Sequence, residues 1–188
     1  GYAIKLLAIA KEENGMVEAR VHPSLVPQGF LLAQIGGVNN AVCVQGDLVG
    51  TVVFYGPGAG SKPTSSAIVA DLIILAKNIT AGLTGRFRLR EERGKTISPM
   101  DQVQTRYYLR MSVADHPGVL AQIAPVLGAH QISIASVIQK EADPVSQTAE
   151  IVIMTHLARE ADMQDSLAKI RALPPVVQER CFFLRAEG

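Results

Sequence analysis

Two short segments of the sequence could bind a small ligand, and each lies between a predicted strand and a predicted helix. The first is Gly56-Pro57-Gly58-Ala59-Gly60. Glycines allow backbone N–H groups to approach a ligand closely, and the start of a helix carries a partial positive charge. An anionic group or a dinucleotide would suit this place. A tight chain reversal needs the same glycines, so the pattern alone leaves both explanations open.

This glycine segment departs from the dinucleotide-binding fingerprint in one respect. That fingerprint has an acidic residue about 20 positions after the glycines, where it binds a ribose hydroxyl. Asp71 comes too soon and falls on the predicted helix. The segment is therefore not the primary loop of a Rossmann domain.

The second segment is Asp115-His116-Pro117-Gly118-Val119-Leu120. The N–H groups of Gly118, Val119 and Leu120 could bind a carboxylate at the start of a helix. The Asp115 carboxylate could bind an ammonium group. A free amino acid carries both groups. Asp115 could also act only as a helix cap, and the local pattern does not decide between these roles.

The remaining reactive residues show no pattern of catalysis or metal binding. The four histidines, at 22, 116, 130 and 156, have no metal-ligand spacing with one another or with the cysteines. The sequence contains no Gly-x-Ser-x-Gly and no Cys-x-x-Cys motif. Lys5 lies in the middle of a predicted strand, where a structural or surface role is expected. We predict no metal site in this chain, and no motif in it supports hydrolase or redox chemistry.

The composition describes a chain with enough apolar material for a packed core. Of its 188 residues, 48% are hydrophobic and 19% are charged, and the net charge is +1. This balance gives no electrostatic reason to expect nucleic-acid binding. No apolar run reaches the roughly 18 residues that a membrane-spanning helix needs. We therefore expect neither nucleic acid nor a membrane as a partner.

The charged cluster, the cysteines and the first residues of the chain indicate further local properties. A basic cluster is interrupted by two glutamates and is expected to be a solvated linker; its members are Arg86, Arg88, Arg90, Arg93 and Lys95. Cys43 and Cys181 fall far apart in apolar, strand-like runs, which predicts reduced core cysteines in a cytoplasmic protein. The first residues lack an initiator Met and a secretory pattern, so we expect a piece of a longer protein.

The first half of the chain is predicted to form hairpins and then a helix. Alternating residues on both sides of Asn14-Gly15 predict a tight hairpin, with Pro23 ending its second strand. A short helix is expected within 28–35. A second hairpin and a helix that is apolar on nearly all sides follow, over 40–55 and 65–78. Periodicity then fades over 79–105, which predicts a linker with a possible strand at 86–90.

The last part has the predicted order strand, helix, strand, strand, helix, strand. Pro125 lies inside its first helix and is expected to kink or loosen it. The following strands are expected at Ile132–Gln139, Ala149–Thr155 and Val176–Leu184. This order is typical of a ferredoxin-like βαββαβ unit. The predicted fold class is α+β, a β-hairpin sheet with helices followed by a ferredoxin-like domain.

Particular blocks of the sequence resemble known families. The blocks at 1–10, 17–23, 39–42, 54–60 and 69–72 resemble the later part of the substrate-binding and dimerisation domain of homoserine dehydrogenases. Residues 106–188 resemble an ACT domain, whose ligand-loop motif matches Asp115 to Leu120. This resemblance implies a division into 1–78 (C-terminal part of the catalytic and dimerisation domain), 79–105 (linker) and 106–188 (regulatory domain).

The resemblance implies an enzyme that interconverts aspartate semialdehyde and homoserine with NADP or NAD, in the pathway to threonine, methionine and isoleucine. It places the Rossmann domain and the catalytic residues upstream of Gly1, so this chain alone should be inactive. It also implies that Gly56, Gly58, Ala59 and Gly60 lie beside the nicotinamide end of the cofactor in the intact enzyme.

The resemblance further implies a homo-oligomer, a dimer or tetramer, associated through the hairpins of residues 4–55. ACT domains bind amino acids between paired domains, and threonine is the effector expected from the pathway. Asp115 would bind its ammonium group, and the backbone of Gly118, Val119 and Leu120 its carboxylate. Ile132 and Ser133 would line the neighbouring side of the pocket.

Two other hypotheses remain at this point. The chain could be a free-standing amino-acid sensor in which 1–78 acts only as a dimer scaffold. Alternatively, its ACT domain could have lost its ligand and could serve only in assembly. Cofactor preference cannot be inferred, because the discriminating loop would lie outside the chain.

Overall fold

The computed structural model describes residues 1–83, 94–140, 143 and 146–187, and for 177–180 it describes the backbone alone. The chain divides into two compact units. The first unit contains Gly1–Pro27 and Lys95–Gly188, and the second contains Gln28–Gly94. The predicted boundaries 1–78, 79–105 and 106–188 follow family resemblance rather than compactness, and they stay a prediction.

The described residues form strands and helices with the following bounds. The strands are β1 (Tyr2–Glu13), β2 (Met16–Pro27), β3 (Asn39–Gly46), β4 (Gly50–Pro57), β5 (Thr96–Ile97), β6 (Gln104–Ala114), β7 (Ile134–Gln139), β8 (Thr148–Thr155), β9 (Ala158–Arg159) and β10 (Val176–Ala186). The helices are α1 (Leu31–Gln34), α2 (Ser61–Thr80), α3 (Val119–Ala129) and α4 (Glu160–Arg171), and a short 3-10 helix covers Met100–Gln102.

The first unit contains the predicted ferredoxin-like domain. Four of its strands run antiparallel in the order β10-β6-β8-β7. Along β6 every second residue from Thr105 to Val113 is buried, which gives the sheet one core face. The helices α3 and α4 contribute Ile123, Leu127 and Ile170 to the same core. The α+β prediction is confirmed.

The long hairpin β1–β2 extends this sheet within the first unit. It turns at Asn14 and Gly15, which both adopt left-handed backbone angles, with φ of 52° and 77°. This is the geometry that Asn-Gly favours in a two-residue hairpin turn. Strand β2 pairs in parallel with the end of β10, and β5 pairs with the start of β2.

Pro23 does not end the second strand, which corrects the prediction. The residue lies opposite Leu6 within the β1–β2 register. Among the described residues, the other side of β2 pairs at Met16–Val17 and at Ser24–Leu25 and nowhere else. No N–H donor is therefore required from Pro23 on that side, and a proline is tolerated there.

The second unit contains α1, the β3–β4 hairpin and α2. Strands β3 and β4 pair from Asn39↔Pro57 to Gly46↔Gly50. Helix α2 begins at Ser61, four residues earlier than predicted, and none of its residues is buried. Ala33 is the one buried residue among positions 28–83. The apolar surface of α2 therefore receives no full cover from the described part of this unit.

The structure also bears on the predictions for Pro125, for the two cysteines and for the strand at 86–90. Helix α3 continues without a break through Pro125, because buried Val119, Ile123 and Leu127 fix its inner face at four-residue spacing. Cys181 is buried as expected, whereas Cys43 is exposed on the β3–β4 hairpin; both are free. The expected strand at 86–90 and most of the basic cluster lie outside the described residues.

Among the residues that the structure describes, no helix is long and apolar enough to cross a membrane.

Candidate functional site

The glycine segment joins β4 to α2 in the second unit. Gly60 precedes the helix with φ of 127°, a conformation that a side chain rarely adopts. The Gly60 carbonyl accepts a hydrogen bond from the Thr64 N–H at 3.1 Å, which closes the first helical turn. Ser61 and Lys62 carry N–H groups that have no intrahelical acceptor at this helix start, and Pro63 carries none.

Gly58 is held by the neighbouring strand. Its N–H donates to the Val38 carbonyl at 2.9 Å, so this amide is not available to a ligand in this conformation. A Cβ at Gly58 would lie 1.6 Å from the Asn40 amide nitrogen, whereas one at Gly56 would meet nothing within 4 Å. The turn explanation thus accounts for Gly58, and Gly56 leaves an open side for a ligand.

The Asp115–Leu120 segment joins β6 to α3 in the first unit. The Asp115 N–H donates to the Gln147 carbonyl at 3.0 Å, and the His116 N–H donates to the Ala114 carbonyl at 3.1 Å. These bonds fix the start of the loop. Gly118 is the N-cap of α3 with φ of 91°, and no side chain caps the helix.

The Asp115 side chain is therefore not a helix cap. It is exposed, and among the described residues it has no hydrogen bond or ion pair. The N–H groups of Gly118, Val119 and Leu120 lie at the helix start and have no hydrogen-bond acceptor within the helix. The Val119 side chain is buried in the core and Leu120 is half-buried, which anchors these amides. The loop thus presents a carboxylate and three N–H donors.

Ile132 and Ser133 lie at the other end of α3. The Ile132 N–H donates to the Leu127 carbonyl at 3.0 Å, and the Ile132 side chain is 3% exposed. Strand β7 begins two residues later than predicted, at Ile134. An eleven-residue helix is about 16 Å long, so a single chain does not bring Ile132 and Ser133 to the Asp115 loop.

Two well-formed concave regions lie among the described residues of the first unit, and the Asp115–Leu120 loop lines neither of them. One, of about 900 Å³, lies on the sheet and is lined by Arg110, Lys140 and Glu150 among others. The hydrogen bond from Lys140 is the main reason that the pKa of Glu150 lies below its ordinary value. The other, of about 530 Å³, lies at the C-terminal end of α3, close to Ile132 in sequence.

The smaller concave region carries polar residues that the sequence analysis did not single out. His130, Gln131, Arg159 and Asp162 line it. Arg159 donates two hydrogen bonds of 3.0 Å to the Asp162 carboxylate, and these bonds lower the pKa of Asp162. The spacing of this pair, three positions apart at a helix start, was a signal available in the sequence.

A buried ion pair links α4 to β10 and was also missed. Glu160 is 4% exposed and accepts hydrogen bonds from Arg185, Tyr107 and Gln164. Burial raises the pKa of Glu160, but these donors outweigh burial, and the net pKa lies below its ordinary value. Burial and the same contact raise the pKa of Tyr107. The local sequence carries no signal of these contacts.

Within the described ranges, no group of three or more histidine, cysteine or acidic side chains could hold a metal ion. The structure thus places two candidate ligand-binding segments in different units. One is a glycine loop at the start of a long helix, and the other is a loop with an exposed carboxylate beside the N–H groups of a helix start.

The comparisons with known proteins agree with this architecture. Residues 107–175 match the ACT domain family, and residues 1–73 match the family described as homoserine dehydrogenase. The ferredoxin-like part of the first unit is therefore an ACT domain, the class of module that its fold and loop define.

Individual relatives cover nearly the whole chain. A homoserine dehydrogenase from Neisseria gonorrhoeae is 44% identical over 179 residues, which is 92% of this chain and 41% of that protein. One from Pseudomonas aeruginosa is 39% identical over 189 residues, which is 96% of this chain and 44% of that protein. The crystal structure of a homoserine dehydrogenase from Thiobacillus denitrificans matches with a TM-score of 0.89 and 40% identity. The match covers 100% of this chain and 43% of the crystallised chain.

The chain therefore carries a segment of the homoserine dehydrogenase family, residues 1–73, followed by an ACT domain, residues 107–175, and it corresponds to the C-terminal part of these relatives. It spans 41% and 44% of the length of the two curated relatives described above. The hypothesis of a free-standing sensor is not favoured, because these relatives combine both parts in one protein.

Proposed function

We propose that the protein containing this chain is an NAD(P)-dependent homoserine dehydrogenase, which interconverts L-aspartate 4-semialdehyde and L-homoserine. The observation that carries the proposal is the consecutive match to relatives of that name over 92% and 96% of the chain. The reaction serves the synthesis of threonine, methionine and isoleucine. We assign no catalytic residue to this chain and expect it to be inactive alone.

The proposed contact with NADP or NAD lies at Gly56, Gly58, Ala59 and Gly60. The bound cofactor supplies hydride transfer, and this chain supplies part of its binding surface. Because the Gly58 N–H is already bonded to Val38, we expect the open side at Gly56 and the helix start after Gly60 to contact the cofactor. Gly58 itself shapes the loop.

The proposed effector is threonine, bound at the loop of Asp115, Gly118, Val119 and Leu120. The exposed Asp115 carboxylate would pair with its ammonium group, and the amides of the α3 start would bind its carboxylate. Since Ile132 and Ser133 lie about 16 Å away along α3, they would complete the pocket of a second copy. The effector site therefore requires paired ACT domains.

We also infer a homo-oligomer, a dimer or tetramer, in the cytoplasm. The long hairpin supports association, because one of its faces exposes Ile4 (62%), Leu6 (73%) and Val21 (69%). Contiguous apolar surface of this kind is typical of protein interfaces. No observation supports a membrane or nucleic acid as a partner.

The direct test is an activity assay on a longer protein that joins this chain to a dinucleotide-binding domain. We expect homoserine-dependent reduction of NADP or NAD, inhibition by threonine, and no turnover by residues 1–188 alone. Reduction of the cofactor that does not depend on homoserine would contradict the proposed activity. Activity that threonine leaves unchanged would contradict the proposed effector and would leave the enzyme assignment intact.

A further inference from the structure

The base of the β1–β2 hairpin is attached to the last strand of the ACT domain. Ser24 pairs with Arg185 and Leu25 with Ala186 in a short parallel register. The Glu187 N–H adds a hydrogen bond to the Leu25 carbonyl at 2.9 Å. This contact joins residues matched to the homoserine dehydrogenase family with the end of the ACT domain.

The apolar part of this contact is small. Leu25, Leu184 and Ala186 form a separate buried cluster, with Tyr108 and Met154 packed against it. The large core of the ACT domain contains no residue of the hairpin. The apolar contact between the hairpin and the ACT domain is therefore limited in this cluster, and the polar groups at the hairpin base add to the attachment.

One buried charge occupies the centre of this attachment. The side chain of Arg20 is 2% exposed, with its Nη2 atom 2.9 Å from Glu187 Oε1 and its Nε atom 2.8 Å from Glu18 Oε1. Lys11 lies 3.5 Å from the other Glu187 oxygen and is 45% exposed. In the described part of the chain, the Arg20 guanidinium makes no hydrogen bond of good geometry. The nearby carboxylates of Glu18 and Glu187 compensate its charge by their proximity.

We propose that the Arg20–Glu187 ion pair is a latch that holds the hairpin on the ACT domain, so that the two open and exchange amide hydrogens together. Removing Glu187 leaves the buried Arg20 charge with Glu18 as its one nearby carboxylate, and losing compensation of a buried charge costs more than losing an exposed pair. The hairpin can escape this cost by detaching, because the ACT core does not depend on it. This inference goes beyond the proposed function and needs neither cofactor nor effector.

Hydrogen exchange on residues 1–188 tests the latch with one variant and a matched control. Glu187→Gln removes the anion beside Arg20, and Glu150→Gln removes a carboxylate that pairs with Lys140 on the more exposed part of the sheet. In Glu187→Gln we expect exchange at Ala3–Lys5 and Ser24–Val26 to accelerate at least about tenfold, with β6 and β8 changed less than about twofold. Equal exchange in the two variants, or equal acceleration in β6 and β8, would overturn the proposal.

A second variant separates the latch from a general loss of stability. Arg20→Met combined with Glu187→Gln removes both charges and keeps an apolar side chain of similar length. If the buried guanidinium, left with Glu18 alone, releases the hairpin, the double variant should exchange more slowly than Glu187→Gln, or should fold where Glu187→Gln does not. A double variant that exchanges as fast as the single one, or remains unfolded with it, would contradict the latch.

Discussion

At the scale of single residues, the two candidate segments use glycine for different reasons. Gly58 is needed because the Asn40 side chain occupies the space of a Cβ, although its N–H has a backbone partner. Gly118 has open space around it but adopts φ of 91°, where a side chain causes strain. The same residue type thus answers a packing constraint in one loop and a backbone constraint in the other.

A side chain at Gly58 should destabilise the second unit, and removing the Asn40 side chain should restore its stability. Gly58→Ala should reduce the free energy of unfolding of the second unit by about 1 kcal/mol, because Asn40 must move to admit the new methyl group. Gly56→Ala is the control, since its Cβ meets nothing within 4 Å. Chemical denaturation measures both, and Asn40→Ala in the Gly58→Ala background should restore most of the loss. A Gly58→Ala variant as stable as the control would contradict this packing.

Replacing glycine by alanine should have opposite effects on stability at Gly118, the N-cap of α3, and at Gly128, inside α3. Gly118→Ala should destabilise the ACT domain by about 1 kcal/mol because of its positive φ. Gly128→Ala, at an open position inside α3, should stabilise it by about 0.5–1 kcal/mol, because alanine is the better helix former. Thermal unfolding of the two variants should therefore shift in opposite directions. Shifts of the same sign would be inconsistent with the left-handed N-cap.

At the scale of elements, β2 presents buried polar side chains on the face that also carries Arg20. Ser24 is fully buried and His22 is 8% exposed, with the His22 Nδ1 atom 3.0 Å from Ser24 Oγ. Burial is the main cause of a His22 pKa below its ordinary value. The positive charges of Arg185 and Arg20 lower this pKa further, whereas the Pro23 carbonyl and Glu187 raise it.

This environment predicts that the first unit loses stability in mild acid. In the unfolded chain His22 takes up a proton near pH 6.5, whereas in the folded chain it resists protonation. The unfolded state therefore binds more protons as the pH falls below about 6.5, and the free energy of unfolding decreases. Chemical denaturation at pH 7.5 and pH 5.5 measures the difference between the two free energies of unfolding. His22→Gln should reduce this difference, whereas His156→Gln, at an exposed position, should leave it as in the wild type. A pH dependence unchanged by His22→Gln would contradict the prediction.

Elements with a local pattern could be predicted from the sequence, and contacts between distant segments could not. Asn14-Gly15 specifies the first hairpin, and alternation such as that along β6 specifies the ferredoxin-like sheet. The parallel pairing of Ser24 with Arg185 leaves no local signature, so the attachment of the hairpin to the ACT domain was not foreseen. The burial of Arg20 was missed for the same reason.

The candidate site shows the same division. The Asp115 loop lies between a strand and a helix, as local pattern predicts, whereas its binding of a ligand stays a prediction. The backbone partner of Gly58 and the separation of Ser133 from Asp115 depend on strand pairing and helix length, which the sequence analysis did not resolve.

At the scale of the whole molecule, the chain joins a homoserine dehydrogenase segment to an ACT domain. Its first unit combines the ACT domain with the long hairpin, and its second unit carries the glycine loop. The residues proposed for the effector lie at opposite ends of α3, so amino-acid binding and pairing of chains should be linked. We propose above all that this ACT domain binds threonine.

Thermal unfolding of residues 1–188 with threonine, isoleucine, methionine, serine and homoserine in parallel tests this claim most directly. A ligand at 100 times its dissociation constant adds about 2.7 kcal/mol to the free energy of unfolding. We predict that millimolar threonine alone raises the unfolding midpoint and that Asp115→Asn removes the shift. No shift with any of the five amino acids, or a threonine shift that Asp115→Asn leaves unchanged, would contradict threonine binding at this loop.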